Sequence, residues 1–347
     1  MSRLLTGVTT RTISIPNRIK MNLLQTGSPD KPPLILIHGN VSSSLFWQET
    51  MLAFADHNYV IAPDLRGFGE SESAPINATR GVRDFSDDLF GLFNELKFES
   101  AHLVGWSMGA GVVMQFAIDH PQYVLSMTLS APISPYGFGG TAPDGSLLNP
   151  DAAGTGGGGA NPEFVSALAK KDRSDSASGP RTVMRSFYVA DPSSLDHEDL
   201  YVDSMLSTIT GEDNYPGNST TSIHWPMFGP GDKGVLNSMS PKYFNTSAIT
   251  KIVNKPSILW IRGEKDAIVS DASFFDLNTL GAAGLVPGWP GVEIAPSQAM
   301  IAQTKAVLDD YRAKGGSVTE VVIPNCGHSP HLENPTIFRQ ALRKLIS

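Results

Sequence analysis

Cysteine is nearly absent: the 347 residues include one, Cys326. A single thiol excludes an internal disulfide framework and suits a reducing compartment. Charge is scarce too. Only 17% of residues are Asp, Glu, Lys or Arg, against roughly 25% in an ordinary soluble protein. Basic residues are the smaller share, 26 against 34 acidic, for a formal net charge of −8. That balance argues against nucleic acid or an anionic membrane as partner, because both recruit basic patches. No apolar run approaches the ~20 residues needed to cross a bilayer. The opening residues, Met1-Ser2-Arg3-Leu4-Leu5-Thr6-Gly7, lack the apolar stretch of a secretory signal. The expectation is a soluble, cytoplasmic protein. Hydrophobic residues, at 41%, supply a core and exclude intrinsic disorder. The length allows roughly two units of about 150 residues, or one core with an insertion.

What is present first reads as alternating strands and helices. Pro33-Leu34-Ile35-Leu36-Ile37 is a continuous apolar run, the pattern of a strand buried on both faces of a parallel sheet. Tyr59-Val60-Ile61-Ala62 and Ala101-His102-Leu103-Val104-Gly105 repeat it. Between these two, Phe85, Leu89, Leu92, Phe93 and Leu96 fall on one face of a helix. A further strand over 124–129 completes an order that predicts βαβ units. The pattern then stops over 132–250, a stretch rich in Gly, Ser, Pro, Asn and Asp with scattered large apolar residues. Strands resume at 256–261 and 318–323, with helices predicted at 302–311 and 337–346. The core is therefore 1–131 with 251–347, and 132–250 is an insertion into it. A shorter loop-like insertion covers 272–296.

The strongest local motif is Gly105-Trp106-Ser107-Met108-Gly109. It follows a predicted strand and opens a predicted helix over 110–119, as a nucleophile elbow requires. Such a turn projects the serine oxygen from the sheet edge, and the glycines allow close strand-to-helix packing. Other matches fail on context. Gly154-Thr155-Gly156-Gly157-Gly158-Gly159 satisfies G-x-G-x-x-G, but no strand precedes it, so it reads as a flexible loop. His197-Glu198 lacks the second histidine of a zinc motif. No metal and no cofactor is expected.

His38-Gly39-Asn40 ends the first buried strand at the same sheet edge as the elbow. With these two motifs the chain resembles the α/β-hydrolase superfamily. The resemblance covers about residues 12–131 and 255–347, and four motifs occur in the family's order. It implies an α/β-hydrolase fold, a mostly parallel sheet flanked by helices, with 132–250 as a cap inserted after strand six. It implies the backbone N–H groups of Asn40 and Met108 as oxyanion donors, with His38 a structural turn residue. Asp64, in Asp64-Leu65-Arg66-Gly67-Phe68-Gly69, precedes the serine, against the family order Ser, acid, His, and is read as structural. Gly263-Glu264-Lys265-Asp266 matches the family's G-x-x-D, which points to Asp266 as the acid over Glu264. Gly327-His328 after the last strand marks His328 as the base, with His331 behind it or facing the cap. Cys326 is expected to be a buried small hydrophobe.

The implied activity is a cofactor-independent serine hydrolase with the triad Ser107, Asp266 and His328, acting on a small hydrophobic ester or lactone. Serine at the elbow counts against epoxide hydrolase and haloalkane dehalogenase, whose relatives carry Asp there. Three alternatives stay open: a C–C bond hydrolase, a perhydrolase or cofactor-free haloperoxidase, and a receptor with slow turnover. Within the insertion, the apolar cluster Trp225, Met227 and Phe228 is the candidate for substrate contact, or else an anchor of the cap. Oligomeric state is left open.

Overall fold

Leu34 to Ile37 are fully buried, as a strand covered on both faces must be. In the computed structural model, which describes residues 4–347, this run belongs to an eight-stranded sheet. Its strands are β1 (Thr9–Ser14), β2 (Lys20–Thr26), β3 (Pro33–Ile37), β4 (Tyr59–Pro63), β5 (Ala101–Trp106), β6 (Val124–Ser130), β7 (Ser257–Gly263) and β8 (Val318–Ile323). The spatial order is β1-β2-β4-β3-β5-β6-β7-β8. From β4 to β8 every neighbouring pair is parallel, while β1 and β2 add an antiparallel edge. The apolar runs did not announce that edge: in β2, Met21, Leu23 and Leu24 are buried but interrupted by Asn22 and flanked by Lys20 and Gln25, and in β1 the reason is exposure. Of six residues in β1 only Ile13 is buried, so the strand carries no apolar run.

The main flanking helices are α1 (Gln48–Phe54), α2 (Arg83–Leu96), α3 (Met108–Asp119), α4 (Met300–Ala313) and α5 (Pro335–Ile346). In α2 the predicted stripe holds: Phe85, Leu89, Leu92 and Phe93 are all buried. No helix among the described residues is long and apolar enough to cross a membrane.

The chain leaves the sheet at Ser130 and rejoins it at Ser257. The sequence pattern predicts no regular structure in this connection. It contains short helices at Pro162–Ala169 and Glu198–Leu206, and a helix at Pro180–Val183 that continues into a π-turn at Met184–Tyr188. A further short helix at Val235–Ser238, 3-10 turns at Pro192–Ser194 and Ser247–Lys251, and two two-stranded ribbons complete it. The elements are too short for a periodic signal. The glycine run at 154–159 is also packed, not a flexible loop. A Cβ on Gly157 would fall 2.6 Å from the Pro230 ring, and one on Gly158 2.7 Å from the Gly229 carbonyl carbon. Lacking side chains, these residues let two backbones touch.

The same economy of atoms seats α3 on the sheet. A Cβ on Gly109 would lie 2.5 Å from the Ile37 carbonyl oxygen, and one on Gly105 would lie 2.5 Å from Ala110 Cα. Backbone cannot yield as a flexible side chain can. Gly109→Ala should therefore lower the free energy of unfolding by about 1–3 kcal/mol or more. Urea denaturation measures it, and an unchanged midpoint would contradict this packing argument.

Candidate active site

β5 ends at Trp106 and α3 begins at Met108, which leaves Ser107 to make the whole reversal. Its backbone sits at φ 57°, ψ −120°, a region that side-chain-bearing residues rarely adopt and that costs on the order of 1–3 kcal/mol. Two neighbours hold it there. The Ser107 N–H donates to the Ser130 carbonyl at 2.9 Å, and the Ser107 carbonyl accepts from Ala110 N–H at 3.0 Å. Met108, as the first residue of α3, belongs to the turn whose N–H groups find no acceptor inside the helix.

Across from the elbow lies the turn after β3. A Cβ on Gly39 would be 3.1 Å from Ser107 Cβ, so glycine is what lets this turn approach the serine. His38 is fully buried and committed to the turn. Its Nε2 accepts from Leu65 N–H at 3.0 Å, and its Nδ1 meets the Gly39 carbonyl at 2.8 Å. Burial pushes its pKa down, against the pull of Asp64. Asn40 follows, with its side-chain Oδ1 buried and unpaired with any protein donor.

The two remaining predicted residues meet. His328 Nδ1 and Asp266 Oδ2 are 2.9 Å apart, both side chains being 3% exposed. The other Asp266 oxygen accepts from the N–H groups of Ile268 (2.8 Å) and Val269 (2.9 Å). A carboxylate gripped at three points cannot swing, so the histidine ring it holds is fixed as well. The His328 carbonyl accepts from the Trp106 indole N–H at 2.7 Å, which ties its turn to the residue preceding Ser107. Glu264 is exposed and accepts from Asn325 N–H instead. Asp64 is buried elsewhere, accepting from Ser44 N–H, Glu70 N–H and the Asn22 amide.

His331 does not face outward. It packs 4.2 Å from the Trp47 ring and 4.9 Å from Trp106, by ring centroids, and burial holds its pKa well below the usual value. Cys326 is buried, and burial together with the Glu333 carboxylate pushes its thiol up.

A profile of the alpha/beta hydrolase family matches residues 34–341. The chain belongs to that family. Among curated relatives, Epoxide hydrolase A of Mycobacterium tuberculosis is 31% identical over 131 residues, covering 37% of this chain and 41% of the relative. The 2-hydroxymuconate semialdehyde hydrolase of a Pseudomonas species is 37% identical over 114 residues, covering 32% and 39%. The matched stretch thus spans about two-fifths of the length of either relative. Among solved structures, the carboxylesterase CesB (YbfK) of Bacillus subtilis superposes with a TM-score of 0.62 at 16% identity, covering 99% of this chain and 93% of that one. At that identity the likeness is one of fold.

Two residues that touch the site in this α/β hydrolase carried no sequence signal. Tyr188, in the long connection, reaches the carbonyls of Asn40 (3.2 Å) and Val41 (3.3 Å) with its hydroxyl. Glu333 accepts from Gly327 N–H at 2.7 Å, just before His328. Its only trace in sequence is an acid five residues after the histidine. The cluster Trp225, Met227 and Phe228, expected either to contact substrate or to anchor the cap, makes packing contacts with the second insertion and the glycine run. Trp225 donates to the Pro287 carbonyl at 2.9 Å and runs along Gly281 and Gly288. Met227 is 62% exposed, and Phe228 packs over Gly159.

Two stability predictions follow from these contacts. Asp64→Ala strands buried donors, each costing roughly 1–3 kcal/mol, and should lower the urea midpoint sharply. A midpoint within error of the parent would remove Asp64 from its structural role. Trp225→Ala should lower the melting temperature while leaving the ranking of any substrates unchanged. A changed ranking at constant melting temperature would return Trp225 to the substrate site.

Proposed function

We propose that this α/β hydrolase is a serine hydrolase cleaving a small hydrophobic carboxylic ester or lactone through an acyl-enzyme. The observation that carries the reading is the 2.9 Å contact between His328 Nδ1 and Asp266, on a turn docked against the elbow. Asp266 holds the tautomer with hydrogen on Nδ1, so Nε2 keeps the lone pair that takes the Ser107 proton. Attack by Ser107 Oγ on the carbonyl carbon makes an oxyanion. The amides of Asn40 and Met108 are the donors assigned to it, and one such donor is worth about 10²–10³ in rate. Collapse passes the proton from His328 to the leaving alcohol. Water activated by the same histidine then attacks the acyl-serine and releases the acid. In a lactone the alcohol stays tethered, and the same steps open the ring.

The 132–250 segment is read here as the cap, because Tyr188 within it contacts the turn facing Ser107. Serine at 107 favours this chemistry over epoxide opening, which in this superfamily proceeds through Asp at the elbow. A C–C bond hydrolase is the second reading, favoured by the 37% identity to the semialdehyde hydrolase, and it would use the same three residues.

Nitrophenyl esters, lactones and a dienoic ring-fission product, assayed side by side, discriminate among these. Ester or lactone turnover should exceed dienoate cleavage. Ser107→Ala and His328→Ala should each cut it by at least about 10³-fold, and Asp266→Asn by about 10⁴-fold, with the fold intact. More than a tenth of parental activity left in Ser107→Ala would sink the assignment. Dienoate cleavage as the faster reaction would replace it with the second reading.

A further inference from the structure

One short stretch of the cap touches two of the turns on which the proposed triad depends and reaches a third through Phe274. The π-turn Met184–Tyr188 and the residues after it run across the site as a strap. Tyr188 bonds the Asn40 and Val41 carbonyls, and its ring lies 6.3 Å from that of His328. Phe187 stands edge-on to Phe275 at 5.1 Å and packs near Phe274. Phe274 is itself bonded through its N–H to the Ala267 carbonyl, next to Asp266. At the far end, Ala190 N–H donates to Glu333 Oε2 at 2.6 Å, and Asp191 N–H reaches the same oxygen at 3.3 Å.

Glu333 is the joint between this strap and the catalytic turn. It ends the helix Pro330–Glu333, which begins two residues past His328, so its carboxylate folds back over its own turn. One oxygen, Oε1, accepts from Gly327 N–H and from the Cys326 thiol. The other serves the strap. The two surfaces are in direct contact there, since a Cβ on Gly327 would fall 2.6 Å from Ala190 N. Burial raises the Glu333 pKa, and the N–H donors of Ala190, Gly327 and Asp191 pull the other way.

We propose that Glu333 is a positioning residue that fastens the His328 turn to the cap strap, so that His328 takes its working place only when the strap is seated. The proposal rests on the assignment of Ser107 and His328 above. Both carboxylate oxygens are in use, one toward each partner. Lifting the strap to admit substrate removes the Oε2 contacts, and the turn next to the base loses half its fastening. Proton transfer is thereby restricted to the closed site, where water is excluded and charge interactions are stronger.

Glu333→Gln is the discriminating variant, because an amide has one accepting oxygen and can serve only one side. With a nitrophenyl ester, kcat should fall on the order of 10- to 100-fold, the scale of a small misplacement of a reacting group, while KM stays within about twofold. Labelling of Ser107 by a fluorophosphonate, which needs the base but not the ester site, should slow in parallel. Hydrogen exchange should rise together in peptides covering 186–192 and 325–331. An unchanged kcat, a change in KM alone, or faster exchange in only one of the two peptides overturns the proposal. Should Glu333→Gln fail to fold, Glu333→Asp, which keeps both oxygens on a shorter stem, is read by the same three measurements. Ser107→Ala separates the two levels of argument. An inactive Ser107→Ala beside an unimpaired Glu333→Gln overturns the coupling alone, whereas an active Ser107→Ala overturns both.

Discussion

Strained backbone at one edge of the sheet is the constraint on which the site depends. Val41 after β3, Ser107 after β5, Ala131 after β6 and Asn325 after β8 all adopt φ between 42° and 57°. None is glycine, and each such residue costs on the order of 1–3 kcal/mol and persists only where its surroundings impose the conformation. They do impose it. Ser107 is bonded to Ser130 and Ala110, Ala131 N–H to the Ile261 carbonyl, and the Val41 carbonyl to Tyr188. A parallel sheet stacks its carboxyl ends side by side, so four separate strains become neighbours. The result is a set of sharply turned backbones that present side chains and amides outward in place of continuing into solvent.

Close packing makes those strains affordable only because atoms are missing where backbones cross. Gly39 lets the β3 turn approach Ser107, and Gly105 and Gly109 let α3 lie on the sheet. Side chains then couple the turns pairwise. Trp106 links the elbow to the His328 turn through its indole N–H, and Asp266 links the β7 turn to the His328 ring. A shift of one turn must move the others, since a packed interior transmits displacement better than it absorbs it.

This logic explains what could be read in advance. The central parallel strands β3 to β7 and the helix α2 were legible because two-sided burial leaves mainly apolar runs and one-sided burial leaves a stripe, while β8 showed through its β-branched residues although it lies at the edge. Ser107, Asp266 and His328 stood out because each lies within three residues of a glycine, just past a strand, in the short motifs that carry the family resemblance. The exposed edge strand β1 has neither signal. The short helices of the long connection are likewise invisible, because none runs long enough to repeat an apolar face. Trp225 is a case where the sequence left two readings open, pocket lining and anchor. A dense apolar cluster in a polar segment looks like a pocket lining, yet an aromatic ring is equally suited to pin one insertion to another. Here Trp225 meets the 272–296 insertion, which carries a helix at Leu277–Ala282, at Gly281, Pro287 and Gly288.

Glu333 and Tyr188 were missed for a deeper reason. Their partners are backbone groups: carbonyls of Asn40 and Val41, amides of Ala190 and Gly327. A side chain that recognises backbone leaves no complementary residue type to find in the sequence, as Asp266 does with His328. Yet backbone contacts are what set the direction of a turn, and through the turn the aim of the side chain it carries. The residues that perform bond-breaking chemistry are thus marked by their own chemical type. Those that decide whether that chemistry is aimed are marked only by where the folded chain brings an unpaired N–H or carbonyl. In this α/β hydrolase the stretch at 187–191 meets the turn after β3 through Tyr188 and the turn after β8 through Glu333, and on the reading proposed above that contact makes the inserted segment part of the alignment of the site and not merely its cover.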